Sequence, residues 1–256
     1  MKGLDKLNDH LALFEKNRKD CKTAFNGDRE EYAKEIARWF LPCAQWILDG
    51  HFVVKNSVAN LTVVREIHPT ALELYYHEEA TDGFKDPIMY HTDDRKKQDH
   101  LRYPWHEDYF EARGIQTLPY FPFGSLNPHP SGIDVTFENP TKRYRASFLI
   151  REYIVKYEGE NGKIKTVVNS TEIYDDMLIS GIPQNNNDWL EWVDGTRLAI
   201  EEIEQRGRRN VAEYVPDYSV PGLWNKNTEI EGRDSFKLGK DRFVKCPFQW
   251  QFRRKQ

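Results

Sequence analysis

The sequence predicts a single α+β domain, built as a curved, mostly antiparallel sheet with a helical segment at its N-terminus. Three observations lead there. Apolar residues recur at helical spacing in two stretches of residues 1–48, over 5–25 and from Asp28 to about Phe40. From His51 onward the apolar runs are short and rich in Val, Leu and Tyr, as strands are. No internal repeat, low-complexity stretch or clean linker divides the 256 residues, a length that one large domain can fill.

Residues 5–25 read as the first helix, with Leu4, Leu7, Leu11, Leu13 and Phe14 at helical spacing between charged residues. A break follows at Asn26-Gly27-Asp28. Asp28 is placed to cap a second helix, with Glu31 three residues later as its box partner. That helix is expected to reach about Phe40, presenting Tyr32, Ile36, Trp39 and Phe40. Pro42 opens a turn or a new helical start, and Gly50 is a stop.

HFVVKN, LTVVREIH and ALELYYHE read as three strands. Residues 80–118 form a long excursion, and Tyr120 to Pro130 reads as loop or strongly bent chain. GIDVTFEN and YRASFLIREYIVKYEG read as two strands paired across an NPTKR turn. KIKTVVNSTEIYDDMLIS is mixed, Gly181 to Trp192 a polar loop, and LAIEEIEQRG a helix ended by Gly207.

Composition narrows the function classes. Hydrophobic residues make up 39% and charged residues 30%, with 13 Tyr, 14 Phe and 7 Trp. So aromatic a chain packs a core rather than staying disordered. The net charge of -4 excludes a uniformly basic nucleic-acid coat, though not a basic groove. Apolar runs are too short to span a bilayer, and the N-terminus lacks the apolar stretch of a secretory signal. The expectation is a protein with no membrane partner, in the cytoplasm or nucleoid, or in the nucleus of a eukaryote. Cys21, Cys43 and Cys246 are scattered without a CxxC pair, which suits a reducing compartment and no cysteine-based zinc site.

The densest chemistry lies in Glu73-Leu74-Tyr75-Tyr76-His77-Glu78-Glu79. On a strand, Glu73, Tyr75 and His77 share one face, while Tyr76 and Glu78 point the other way. A carboxylate beside an aromatic ring can take a proton from water while the ring stacks on a planar substrate; a solvated strand end with half-buried tyrosines would look the same. His68, His77 and His91 lie near carboxylates but lack a fixed metal-ligand spacing, so no metal is expected. Asp134 at a strand start and Arg151 at the end of SFLIR are either functional or an internal ion pair. No phosphate loop, dinucleotide fingerprint or nucleophile elbow is present. Lys237 to Gln256 hold seven Lys or Arg against one acid, interleaved with Phe243, Phe248, Trp250 and Phe252. That pattern suits either a phosphate-facing surface or a terminal strand with a basic tail.

Taken in order, WILDGHFVVKN, LELYYH, GIDVTF, RASFLIREYIVKYEG and the ending RDSFKLGKDRFVKCPFQWQF resemble the alkyladenine (3-methyladenine) DNA glycosylase family of the mammalian type. The resemblance covers about residues 40–175 and 230–252. It implies a glycosylase-like α+β domain over 49–256 behind the helical segment 1–48. Glu73 falls on the family's water-activating glutamate and Tyr75 on its stacking tyrosine. His91 falls on the histidine that closes over the flipped base, and Arg151 on the family arginine. Asp134 stands where the family has a base-discriminating asparagine. The wedge position falls near Asn127 or Pro128, with Phe121 and Phe123 as substitutes. Arg253 and Arg254 in the basic tail would face phosphates. The ETEAY signature of the family is not intact.

The resemblance implies a monofunctional DNA N-glycosylase, monomeric and without cofactor, acting on duplex DNA with one flipped nucleotide. The excised base is damaged or modified, and an enlarged base is open given the long excursion. Two other classes stay in view: a non-catalytic nucleic-acid-binding protein on the same sheet, and a hydrolase of small nucleosides.

Overall fold

A computed structural model describes residues 2–24, 29–58, 61–80, 83, 84, 86, 89, 119–129, 131–158, 163–177, 189–196, 198–208 and 249–255. Two helices, α1 (Lys2–Ala24) and α2 (Arg29–Asp49), precede a strongly curled antiparallel half-barrel sheet. The strands are β1 (His51–Val58), β2 (Leu61–Glu78), β3 (Leu126–His129), β4 (Gly132–Thr136), β5 (Tyr144–Tyr157), β6 (Ile164–Val167), β7 (Trp189–Val193), β8 (Ile203–Arg206) and β9 (Gln251–Arg254). A short helix, α3 (Ile173–Met177), follows β6.

The two long strands are the spine. β2 pairs along one edge with β5. Its other edge is shared end to end by β1 and β9. β5 in turn shares its outer edge between β4 and β6. β3 extends the sheet beyond β4, β7 beyond β1, and β8 beyond β9.

Helix α2 shows why the sequence folds this way. Ala33, Ile36, Ala37, Phe40, Cys43, Ala44, Ile47 and Leu48 are all buried, three or four residues apart along one stripe. α1 adds Leu7, Leu11 and Phe14. Both stripes meet one side of the sheet, made by Leu72, Leu74, Tyr76, Tyr144, Ala146, Phe148, Ile150, Val135 and Phe252. Each large side chain removed from water there contributes about 1.5–3 kcal/mol. The helical segment and the sheet thus share one core. Polar bonds fasten them as well: Trp250 Nε1 donates to Ala33 O at 2.9 Å, and Tyr144 Oη to Glu15 at 3.0 Å.

Several elements depart from the sequence reading. α2 does not stop at Phe40 but runs through Pro42 to Asp49, because its buried stripe continues to Leu48. LTVVREIH and ALELYYHE are one strand, not two. The proline between them is absorbed by paired irregularities: the register passes from Pro69↔Tyr153 to Ala71↔Glu152 to Leu72↔Ile150. Thr70 on β2 and then Arg151 on β5 are each left unopposed. One slip would send every later side chain to the wrong side of the sheet; the second slip cancels the first.

LNPH, expected in a loop, forms β3; its proline is tolerated because β3 is an edge strand. LAIEEIEQRG is a 3-10 turn at Ile200–Glu202 followed by β8, not a helix, because Ile203 to Arg206 pair with β9. The hairpin expected between GIDVTFEN and YRASFLIREYIVKYEG is present, with Asp134↔Leu149 and Thr136↔Ser147 in register. The break at 26–28, His91 and most of the 80–118 excursion lie outside the described residues. So do Cys246 and residues 237–248 of the basic tail. Cys43 is a buried free thiol.

Candidate functional site

Cross-strand partners in an antiparallel sheet point to the same side. The side of the sheet away from the helices therefore carries Glu73, Tyr75 and His77 from β2, and Arg145, Ser147 and Leu149 from β5. Asp134 and Thr136 from β4 and Gln251 from β9 join them. All nine are buried. A buried face this polar stabilises a fold less than an apolar one of equal volume.

Glu73, 0% exposed, is the centre. Its Oε1 accepts from Tyr75 Oη at 2.7 Å and from Arg151 Nη2 at 2.7 Å; its Oε2 accepts from Arg151 Nε at 3.2 Å. Arg151 Nη2 also reaches Tyr75 Oη at 3.0 Å. The bulge that leaves Arg151 unopposed turns its fork onto the carboxylate, giving the bidentate geometry that fixes a carboxylate's plane. Three donors occupy three of the roughly four acceptor positions of a carboxylate. Burial, and then the charge of Glu73, push the Tyr75 hydroxyl well above its ordinary pKa, so it stays a donor.

Asp134 lies one strand beyond, in the same row: Glu73 is opposite Leu149, and Leu149 opposite Asp134. Two strand spacings put their backbones about 10 Å apart. Asp134 does not pair with Arg151. Its Oδ2 accepts from Ser147 Oγ at 3.0 Å, and its Oδ1 lies 3.0 Å from His129 Nε2. Burial lowers the His129 pKa, but the Asp134 carboxylate outweighs it and holds it above the ordinary histidine value.

A second ion-pair group closes the far end of the face. Arg145 donates from Nε to Glu79 Oε1 at 2.5 Å and from Nη1 to Pro119 O at 3.0 Å. Its guanidinium lies 4.0 Å from the centre of the Tyr120 ring. Burial pushes the Glu79 carboxyl up, yet His77 and Arg145 prevail and hold it at about 2.

The other expected site residues fall as follows. Tyr75 is a buried hydroxyl donor whose ring lies under Arg208, with the guanidinium 4.9 Å from its centroid. That face of the ring is therefore already occupied. Asn127 is buried opposite Asp134, on the polar face and not at an exposed wedge position. Phe123 packs edge-on against Phe137, ring centroids 5.0 Å apart, at the margin of the core; it is not a free wedge, because its apolar area is already spent on the core. Phe121 is half-buried, and its backbone N–H donates to Glu138 at 2.8 Å. Arg253 is paired with Glu152. Arg254 points to the helix side, 3.8 Å from Asp49, away from Glu73, because it alternates with Arg253 along β9. His68 belongs elsewhere, stacked on His51 at 4.6 Å and hydrogen bonded to Glu66 at 2.8 Å.

Sequence reading missed Arg208, Asp86, His129, Ser147 and Gln251. Arg208 holds Asp86 bidentately, at 2.7 and 2.9 Å, and donates to Leu74 O at 3.0 Å. Strand alternation could have found Ser147, opposite Tyr75, and Gln251 in FQWQF; nothing local marks Arg208. Among the described residues, no group of three or more His, Cys, Asp or Glu is arranged to hold a metal ion. Nor is any helix among them long and apolar enough to cross a membrane. No protein-family model, curated protein or solved structure matches the chain.

Proposed function

We propose that the protein is a monofunctional DNA N-glycosylase that uses Glu73 to hydrolyse the bond between a flipped base and its sugar. The observation that carries this reading is the buried Glu73 carboxylate, oriented by Arg151 and Tyr75, with acceptor capacity left over on a polar face. The family resemblance of the sequence adds the class of substrate.

In this reading the duplex yields one nucleotide, at a cost of a few kcal/mol. Glu73 orients a water and takes its proton as the oxygen attacks the anomeric carbon. The bond to the base breaks, its electron pair leaves with the base, and the carboxylate faces the positive charge growing on the sugar. Arg151 and Tyr75 keep the carboxylate in place through the reaction. Asp134, with His129 behind it, meets the base one strand away. His91 would close over the base from outside the described residues.

The test is an end-labelled panel of duplex and single strands carrying alkylated, deaminated and enlarged bases, treated with alkali to reveal abasic sites. Wild-type protein is expected to cleave at one base class, and Glu73→Gln to lose at least about a hundredfold in rate, in line with removal of a general base. Cleavage at equal rates by both proteins refutes Glu73 as the catalytic carboxylate. No cleavage by either across the panel refutes the glycosylase reading. The complete burial of Glu73 favours one second reading, hydrolysis of a small free nucleoside by the same carboxylate. Steep salt dependence of activity supports DNA, and near-independence supports the small substrate.

A further inference from the structure

Buried hydrogen-bond donors are almost always matched with an acceptor, and an unmatched one costs free energy comparable to a lost hydrogen bond. Among the described residues, buried nitrogen donors without an acceptor occur at Arg18, Trp39, Arg65, Arg208, Gln251 and Arg254. Arg18 and Trp39 lie on the helices. Arg65 and Arg254 alternate onto the helix side of the sheet, with Ile67 and Phe252. Only Arg208 Nε and Gln251 Nε2 border Glu73.

Their placement is specific. Gln251 is directly opposite Glu73 in the β2–β9 register and 2% exposed. Arg208 commits both terminal nitrogens to Asp86 and Leu74 O, so its geometry is fixed, and Nε is its nitrogen without an acceptor. Its guanidinium lies over Tyr75, whose hydroxyl is bonded to Glu73. Gln251 thus stands across from the carboxylate, and Arg208 over the ring of the tyrosine that bonds it. Neither donor reaches that carboxylate, whose bonds go to Tyr75 and Arg151. They call for an acceptor that arrives with the ligand.

We infer that Gln251 and Arg208 recognise the ligand, receiving a carbonyl oxygen of a planar heterocycle bound beside Glu73. A carbonyl oxygen has two lone pairs and satisfies either donor or both; an exocyclic amine at the same place would meet donors with a donor. This rests on the reading of the polar face as a base pocket and names the class of base it takes: oxo-bearing over amine-bearing. A site built on hydrogen-bond donors rejects ligands lacking the acceptor far more strongly than an apolar pocket rejects a shape change.

The test uses the full chain and two probes: uracil, which carries carbonyl oxygens, and 2-aminopyrimidine, a ring of the same size that carries none. Binding is followed by tryptophan fluorescence, since Trp250 adjoins Gln251 and lies 5.3 Å from the Arg208 guanidinium. Uracil is expected to bind about ten-fold or more tightly than 2-aminopyrimidine, the worth of one hydrogen bond left unmade. Gln251→Leu and Gln251→Glu are each expected to erase most of that preference, the second while keeping the side chain's shape. Equal binding of the two probes, no binding of either, or a preference untouched in a folded Gln251 variant overturns the inference. The wild-type comparison decides even where a variant fails to fold. Failure of the glycosylase reading is distinguishable: uracil preference without base excision removes the catalysis and leaves the donor pair. Base excision without any preference for the carbonyl removes the donor pair alone.

Discussion

Replacing Arg151 by Met removes the fork that neutralises Glu73 while keeping the aliphatic stem. Glu73 is then left fully buried with Tyr75 Oη as its remaining donor. Breaking a buried ion pair from one side costs about 3–5 kcal/mol, mostly from the charge left behind. The Arg151 side chain is 19% exposed, so some water can reach the vacated space, and the lower end, about 3 kcal/mol, applies. For a chain of this size that is a fall in Tm of roughly 6–12 °C. The double variant Glu73→Gln/Arg151→Met no longer buries a lone charge and is expected to recover more than half of the loss. Thermal and urea denaturation followed by circular dichroism give all three values. A folded Arg151→Met protein within about 0.5 kcal/mol of wild type would show that Glu73 is not held by this pair, and the positioning argument would fall with it.

Three further outcomes follow from the same geometry. His129 has a pKa raised by Asp134, so its contribution to stability is complete below the ordinary histidine value of about 6.5 and is lost as pH rises through the raised one; Asp134→Asn is expected to flatten that alkaline decline in urea midpoint. Glu79, held at about 2, contributes stability above the ordinary carboxylate value of about 4.3 and loses it as pH falls towards 2. Arg145→Met should therefore move the onset of acid unfolding to higher pH, and an unchanged acid limb would sink that assignment. Gly132 has φ +136 and an added Cβ would lie 3.0 Å from both Leu149 Cδ1 and Ser170 O. Gly132→Ala is expected to cost about 1–3 kcal/mol, read as a drop in the urea midpoint.

The parts of the fold that were legible in the sequence are those where one periodicity runs unbroken. Apolar residues up to Phe40 repeat at helical spacing, and Glu73, Tyr75 and His77 alternate at strand spacing, so both elements could be placed, though Pro42 hid the helix's continuation to Asp49. What defeated the reading was local chemistry overruled by distant pairing. Pro69 and Pro128 read as breaks, yet one is absorbed by a bulge and the other sits on an edge. EEIEQR reads as helix by propensity and becomes strand because β9 pairs with it. The site divides the same way. Glu73 and Tyr75 meet, as strand alternation suggested, but Arg151 joins them and not Asp134, the partner the sequence offered. The partners of Asp134 could not be read, because His129 comes from another strand and Ser147 is one unremarkable residue in RASFLIR. Arg208 is invisible to any local pattern.

The pairing of β9 with β2 also bears on the order in which the protein forms. Gln251 and Glu73 are neighbours in space but far apart in sequence, and contacts of such long sequence separation are slow to close. During synthesis β1 and β5 can both dock on β2 while the stretch from Ala71 to Leu74 still has an open edge. Trp250 O, which accepts from Leu74 N at 2.8 Å, is made long after them. An open strand edge is a site for wrong pairing with other chains, and here the vulnerable segment is the one that carries the buried Glu73 carboxylate. Closure by β9 therefore does two things at once: it covers an open edge of the nascent sheet, and it delays completion of the polar face until β1 and β5 are in place.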